Sequence, residues 1–276
     1  MLHVIILAAA GFVGGAFGSM VGVGGGVLIV PALTLFLDVP IHNAIAASLV
    51  AVVATSTTGS VAYVRQELSN VRLGVTMETA LTLGGLTGGL VGAMLGKEAL
   101  SAVFGGVMVA VSVYMGLRRK APTPMLAAGA GLGRLGASYY DRSLDCEVRY
   151  QVRRLPLGMF VGLVAGSVSG LLGVGGGFLT VPTMRLGMGV PMRAAMSTSN
   201  LMLGVTACAG ATVYFARGMV DPVIAVPVVL GVTAGAFLGS RLAPKIRSSA
   251  LAIVLAVVLF ALSIQMILAS VGISLR

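Results

Sequence analysis

The residues able to do chemistry in this 276-residue chain are mostly uncharged hydrogen-bonding groups set in apolar sequence. Two glycine runs stand out, Gly24, Gly25 and Gly26 and later Gly175, Gly176 and Gly177, and each precedes hydroxyl or amide side chains: Ser48 after the first, and Ser197, Thr198, Ser199 and Asn200 after the second. A helix that begins at a glycine break points unsatisfied N–H groups and the positive end of its dipole ahead of itself, which suits a sulfite, a sulfonate or a carboxylate. Glycine also lets backbone approach a ligand with no Cβ in the way. Donors without full charges fit weak, reversible anion binding. The competing explanations are close helix packing for the glycines and, for each Ser or Thr, a bond to a carbonyl of its own helix.

Three further positions carry charge or can acquire it. Glu78 is an acidic residue well inside an apolar run, and an intramembrane carboxylate is costly enough to be functional by default. Two uses are open to it, an ion pair with Arg72 or Arg65, or proton coupling. His42 and Arg193 each follow a proline by two residues, Pro40 and Pro191. Either can attract anions at a mouth; equally, Arg193 can mark topology and His42 can be a solvated loop residue. Cys146 and Cys208 have no His or Cys at metal-ligand spacing, so neither a disulfide framework nor a metal site is expected. With no nucleotide-binding loop and no nucleophile beside a base, neither a pump ATPase nor an enzyme is expected, and no cofactor.

A duplication positions these groups. Gly22 to Pro31 and Gly173 to Pro182 agree at eight of ten positions, and the same offset of 151 residues carries Val39-Pro40 onto Val190-Pro191, Ser48 onto Ser199, Tyr63 onto Tyr214 and Gly84 onto Gly235. The chain is one unit written twice: repeat 1 over 1–117, a linker over 118–154 and repeat 2 over 155–276.

Hydrophobic residues make up 57% of the chain and charged residues 9%, far from the roughly one-quarter charged of soluble domains. An all-α polytopic membrane protein is expected. Apolar runs cover 3–22, 26–37, 41–64, 71–96 and 99–117, then 155–172, 177–188, 192–216, 220–243 and 249–271. The second run of each half is too short to cross a bilayer, which takes about 20 residues. It is expected as a half-helix starting at the glycines, either re-entrant or paired with the preceding run as an interrupted hairpin, so each repeat has four to five hydrophobic segments.

The net charge of +10 fits membrane topology better than nucleic-acid binding. Taking the Arg-rich linker as cytoplasmic, an odd number of crossings per half puts Arg65, Arg72, Arg185, Arg193, Arg241, Lys245 and Arg247 inside and Lys97, Arg217 and Arg276 outside, seven to three; an even number gives four to six. The charges therefore favour inverted repeats. The linker is expected as a connector with a short surface helix. Glycines four apart, at 84, 88, 92 and 96, at 158, 162, 166 and 170, and at 231, 235 and 239, allow close helix approach, either within the bundle or at a homodimer seam.

As a set, these motifs resemble the sulfite exporter TauE/SafE family of bacterial anion permeases. The resemblance rests on Gly24 to Gly26 with Val30-Pro31, on Gly175 to Gly177 with Val181-Pro182, on Ala46-Ala47-Ser48-Leu49 and Ser197-Thr198-Ser199-Asn200, on Tyr63 to Arg72 and Tyr214 to Asp221, and on Gly239-Ser240-Arg241-Leu242. It covers both repeats and none of the linker. Ala47 and Asn200 depart from the Thr and Leu of the pattern, so the half-sites are not equivalent. What the resemblance implies is export of sulfite, sulfonates such as sulfoacetate, or related organic acids across the bacterial inner membrane, with a small anion and the lipid bilayer as partners. The mechanism expected is alternating access around the paired breaks, against an anion channel or a non-transporting structural subunit. Valine at Gly25 or Gly176 is expected to abolish it.

Overall fold

A computed structural model describes residues 2–21, 24–65, 68–117, 133, 135–141, 146–242, 257 and 260–266. Repeat 1 comprises α1 (Leu2–Val21), α2 (Gly26–Pro31), α3 (Ile41–Arg65), α4 (Val71–Gly92) and α5 (Lys97–Leu117). Repeat 2 comprises α6 (Leu155–Leu172), α7 (Gly177–Pro182), α8 (Met192–Ala216) and α9 (Pro222–Leu242). Its fifth apolar run falls largely outside the described residues, although 260–266 are helical, with Ser263 and Met266 buried. Among the described residues, five helices are long and apolar enough to cross a membrane. Lys245, Arg247, Arg276 and the basic residues of the linker before 135 lie outside the described residues.

Both half-helices end in proline and continue as one π-helical turn, over Ala32–Phe36 and Thr183–Gly187. Proline has no N–H to give the preceding turn, so the ladder widens there. The short segment pairs with the helix before it: Gly25 lies against the backbone of Gly14 and Gly18, and Leu28, Ala32 and Phe36 share a cavity wall with Val13, Ala9 and Ile6. Of the two expected arrangements, the interrupted hairpin is the one found, and α2 returns the chain to the side where α1 began.

Glycines set the pairing of the long helices. Gly84 and Gly88 of α4 meet the backbone of Leu163 and Ser167 in α6, while Gly231, Gly235 and Gly239 of α9 meet Ala8, Phe12 and Ala16 in α1. A Cβ at any of these would strike main-chain atoms, so the stripes serve contacts inside the bundle. Residue numbers rise together in both pairs, so the helices run parallel. The opposite holds for α3 and α8, where Ser56 meets Gly204, Gly59 meets Asn200 and Leu49 meets Gly210. These two are the same element of the two repeats, and their antiparallel packing means that repeat 2 is inverted relative to repeat 1. Each repeat's first helix packs on the fourth of the other, which interlocks them.

Inversion sorts the loops. On one face the Leu68 carbonyl accepts from Ser197 Oγ at 2.8 Å, Arg153 N donates to the Met188 carbonyl at 3.0 Å, and Asn70 Nδ2 donates to the Leu135 carbonyl at 2.8 Å. This face carries Arg72, Arg185, Arg193 and the end of the linker. On the other, His42 Nε2 and the Leu95 carbonyl are 3.0 Å apart, and Arg217 Nη1 donates to the Ala93 carbonyl at 3.0 Å. Residues 118–132, part of the stretch in which a short surface helix is expected, lie outside the described residues; among its described residues the linker has no helix and forms an antiparallel hairpin of β1 (Ala137–Asp141) and β2 (Cys146–Tyr150). Alternation explains it: Val148 and Tyr150 turn inward with Tyr139 to join Leu73, Met77 and Met184, while Glu147 and Arg149 face out as a 3.3 Å ion pair.

Alanine at Gly88 places a methyl on the Ser167 carbonyl, whereas alanine at Gly96 meets nothing within 4 Å. Gly88→Ala should therefore lower the melting temperature, overpacking costing about 1–3 kcal/mol, and Gly96→Ala should leave it unchanged; thermal unfolding in detergent measures both.

Candidate anion site between the two repeats

Left-handed backbone defines each break. Gly24 and Gly25 have φ of 90° and 75°, and Gly173 and Gly175 have 68° and 80°, values that side chains with a Cβ rarely adopt. The Gly25 carbonyl then accepts from Leu28 N at 3.0 Å and Ile29 N at 3.2 Å, and the Gly176 carbonyl accepts from Leu179 N at 3.2 Å and Thr180 N at 3.1 Å. The expectation that Gly25 and Gly176 respond alike to a side chain needs correction. Gly176 is right-handed, at φ −70°, because the second break takes its positive φ earlier. A Cβ on Gly176 would lie 3.3 Å from the Ala165 carbonyl oxygen, against 2.6 Å from that of Gly14 for one on Gly25.

The two breaks meet. Gly26, at the start of α2, sits on the Gly173 carbonyl, and Ser48 Oγ donates to that same oxygen at 2.6 Å. Gly24 faces Val52 and Leu203, which are repeat counterparts of one another. Gly177 is buried at the start of α7. A position that needs glycine in one repeat is thus packed on backbone of the other.

The hydroxyl residues picked from the sequence are all buried, and all are engaged within the protein. Ser48 holds Gly173; Ser197 Oγ donates to the Leu68 carbonyl; Thr198 Oγ1 accepts from Asn70 N at 2.9 Å; Ser199 Oγ lies 2.9 Å from Thr180 Oγ1. Asn200 differs. Its side chain is fully buried, and neither Nδ2 nor Oδ1 has a partner among the described residues, although its main-chain carbonyl accepts from Ser56 Oγ. An unsatisfied buried amide costs about 1–3 kcal/mol. Its counterpart Leu49 packs on Gly210 just as Asn200 packs on Gly59, so the position is built for an apolar side chain of this shape and carries polar atoms instead.

Ser56 and Ser60, absent from the sequence-derived set, lie on α3 in the groove beside Leu201 and Gly204, and the Ser60 hydroxyl is buried without a partner among the described residues. Their repeat counterparts are Ala207 and Ala211. The signal that could have found them is that contrast: one half of the α3–α8 seam, toward the arginine-bearing face, is polar, and its symmetry mate is apolar.

Glu78 stands on the side of α4 facing α8, with Oε1 accepting from Thr206 Oγ1 at 2.8 Å and Thr82 Oγ1 at 3.1 Å. It makes no ion pair with Arg72, which is exposed; the side chain of Arg65 lies outside the described residues. Arg193 is exposed and His42 is at the opposite face, as inversion requires. The solvated-loop account of His42 is corrected: the ring is half-buried and bonded to the loop between α4 and α5.

Interlocked inverted repeats with paired broken helices at their seam define a multi-pass helical membrane protein of the transporter class. The chain belongs to the sulfite exporter TauE/SafE family, whose sequence profile matches residues 7–266. Among its relatives, a protein of Bacillus subtilis (strain 168) called "Probable membrane transporter protein YunE" is 28% identical over 270 residues, covering 95% of this chain and 97% of the relative. A "Probable membrane transporter protein" of Xylella fastidiosa (strain 9a5c) is 28% identical over 248 residues, covering 89% and 87%. No solved structure matches the chain at a significant level.

The unequal breaks give a test. Gly25→Ala should lower both melting temperature and transport, since it adds left-handed strain to a backbone collision, about 1–3 kcal/mol. Gly176→Ala should be tolerated to within about 1 kcal/mol, and thermal unfolding beside transport in proteoliposomes measures the difference.

Proposed function

We propose that this protein exports a small anion, a sulfite, a sulfonate such as sulfoacetate or a related organic acid, across the bacterial plasma membrane by alternating access between its two repeats. The observation that carries this reading is Asn200: a fully buried amide with no partner among the described residues for either polar atom, at the inter-repeat seam and one residue from the Ser199 that contacts the second half-helix. A ligand oxyanion would satisfy the amide donor. The glycine breaks, Gly24 to Gly26 and Gly175 to Gly177, would supply backbone N–H groups with no side chain in the way. The engaged hydroxyls of Ser48 and Ser199 would hold the second break and its half-helix in place, and that of Thr198 the start of α4. The family's description as sulfite exporters supports the substrate class.

The face carrying Arg72, Arg185, Arg193 and the linker is taken as cytoplasmic, by the positive-inside rule. Arg193 would then draw anions toward the inner mouth, an effect screened by salt. A negative-inside potential favours outward movement of a monoanion by about 2.3 kcal/mol per 100 mV, so export needs no nucleotide.

Leucine at Asn200 restores the residue pattern of the other repeat and keeps the packing on Gly59. Asn200→Leu should retain or raise the melting temperature while lowering uptake of sulfite or sulfoacetate into proteoliposomes at least about tenfold, a loss of about 1.4 kcal/mol. Unchanged uptake would remove Asn200 from the site. A thermal-shift screen of sulfite, sulfonates and carboxylates tests the substrate class, since a ligand of the native state stabilises it by mass action. For topology, with Cys146 and Cys208 replaced by serine, Arg193→Cys should be labelled from the cytoplasm and Arg217→Cys from outside.

A further inference from the structure

Glu78 belongs to no part of the seam described above. Both hydroxyls that reach it, Thr206 of the other repeat and Thr82 of its own helix, donate to the same oxygen, Oε1, and Oε2 is buried with no donor among the described residues. Among the described residues no cation pairs with it. The α6 helix packed on α4 contains no charged or titratable residue. On α8 the titratable group that touches α4 is Tyr214, at the distant Gly92 end, and the hairpin brings Tyr139 and Tyr150 to the cluster around Leu73 and Met77. An ionised carboxylate held this way, at membrane depth with one oxygen bare, is far more costly than a neutral acid whose carbonyl oxygen takes both hydroxyl bonds.

We infer that Glu78 is a proton-binding site that couples anion export to proton entry. The inference rests on the anion-transport reading above. In the conformation described, the carboxyl is neutral and its Oε2 carries the proton. When α8 moves against α4 and opens this contact to water, the O–H bond breaks, the proton passes to water and the carboxylate is solvated. Thr206 lies on the same helix as Asn200, so a displacement of α8 that exposes the anion also exposes Glu78. The counterpart position is Val229, so each chain has one such site and moves one proton per cycle.

In proteoliposomes with the membrane potential clamped at zero, an outward proton gradient of one pH unit should drive accumulation of sulfoacetate up to about tenfold, the limit for one proton exchanged per anion and the export cycle run in reverse. An internal pH-sensitive dye should report proton exit in step. Glu78→Gln keeps the shape and can accept the same two hydroxyl bonds; it should retain exchange of labelled sulfoacetate and lose the gradient-driven accumulation. Accumulation by the unmodified protein that ignores the gradient overturns the proton site, whether or not the variant folds, and so does undiminished accumulation by Glu78→Gln. If the unmodified protein exchanges neither sulfite nor any sulfonate or carboxylate of the thermal-shift screen, the anion reading fails and takes this inference with it.

Discussion

Within a bilayer, every backbone N–H and C=O must be satisfied by protein, and this chain nevertheless breaks two helices at that depth. The constraint is met by making each break a contact surface for the other repeat. Gly26 sits on the Gly173 carbonyl, and Ser48 donates to the same oxygen. Loose backbone inside a membrane is tolerated only where protein or a lined cavity surrounds it. The interlocking of the repeats, with α1 on α9 and α4 on α6, encloses the breaks from both sides and depends on the glycine stripes that let those axes approach.

The symmetry of the backbone is not matched by the side chains. Across the α3–α8 seam, Asn200 corresponds to Leu49, Ser56 to Ala207 and Ser60 to Ala211, and beside it Glu78 corresponds to Val229. All four polar members lie in the half of the bundle toward the arginine-bearing face. A symmetric scaffold supplies two equivalent arrangements of the repeats, which alternating access requires. Concentrating polar groups in one half makes the two halves of the seam chemically different.

The hairpin of the linker adds a third layer at that same face. Tyr139, Val148 and Tyr150 are buried against the starts of α4 and the loop before α8, and the two rings meet edge to face at 6.5 Å. The linker thus takes part in the packing of both repeats, and the Arg153 to Met188 bond ties its end to the second half-helix.

Composition and duplication were enough to establish a multi-pass helical protein, to place the breaks at Gly24 to Gly26 and Gly175 to Gly177, and to favour inversion from the distribution of arginines. Those features are written in local pattern: apolar length, glycine position and charge per loop. Only the tertiary structure decided which polar groups are occupied. Ser48 and Asn200 read alike in sequence, but Ser48 spends its hydroxyl on a carbonyl 125 residues away, while the Asn200 amide finds no partner among the described residues. The unequal φ values at Gly25 and Gly176 were hidden for the same reason, since the second break takes its left-handed turns at Gly173 and Gly175. A hydrogen bond or a backbone collision depends on the partner that folding brings near, and that partner belongs to the other copy of the repeat.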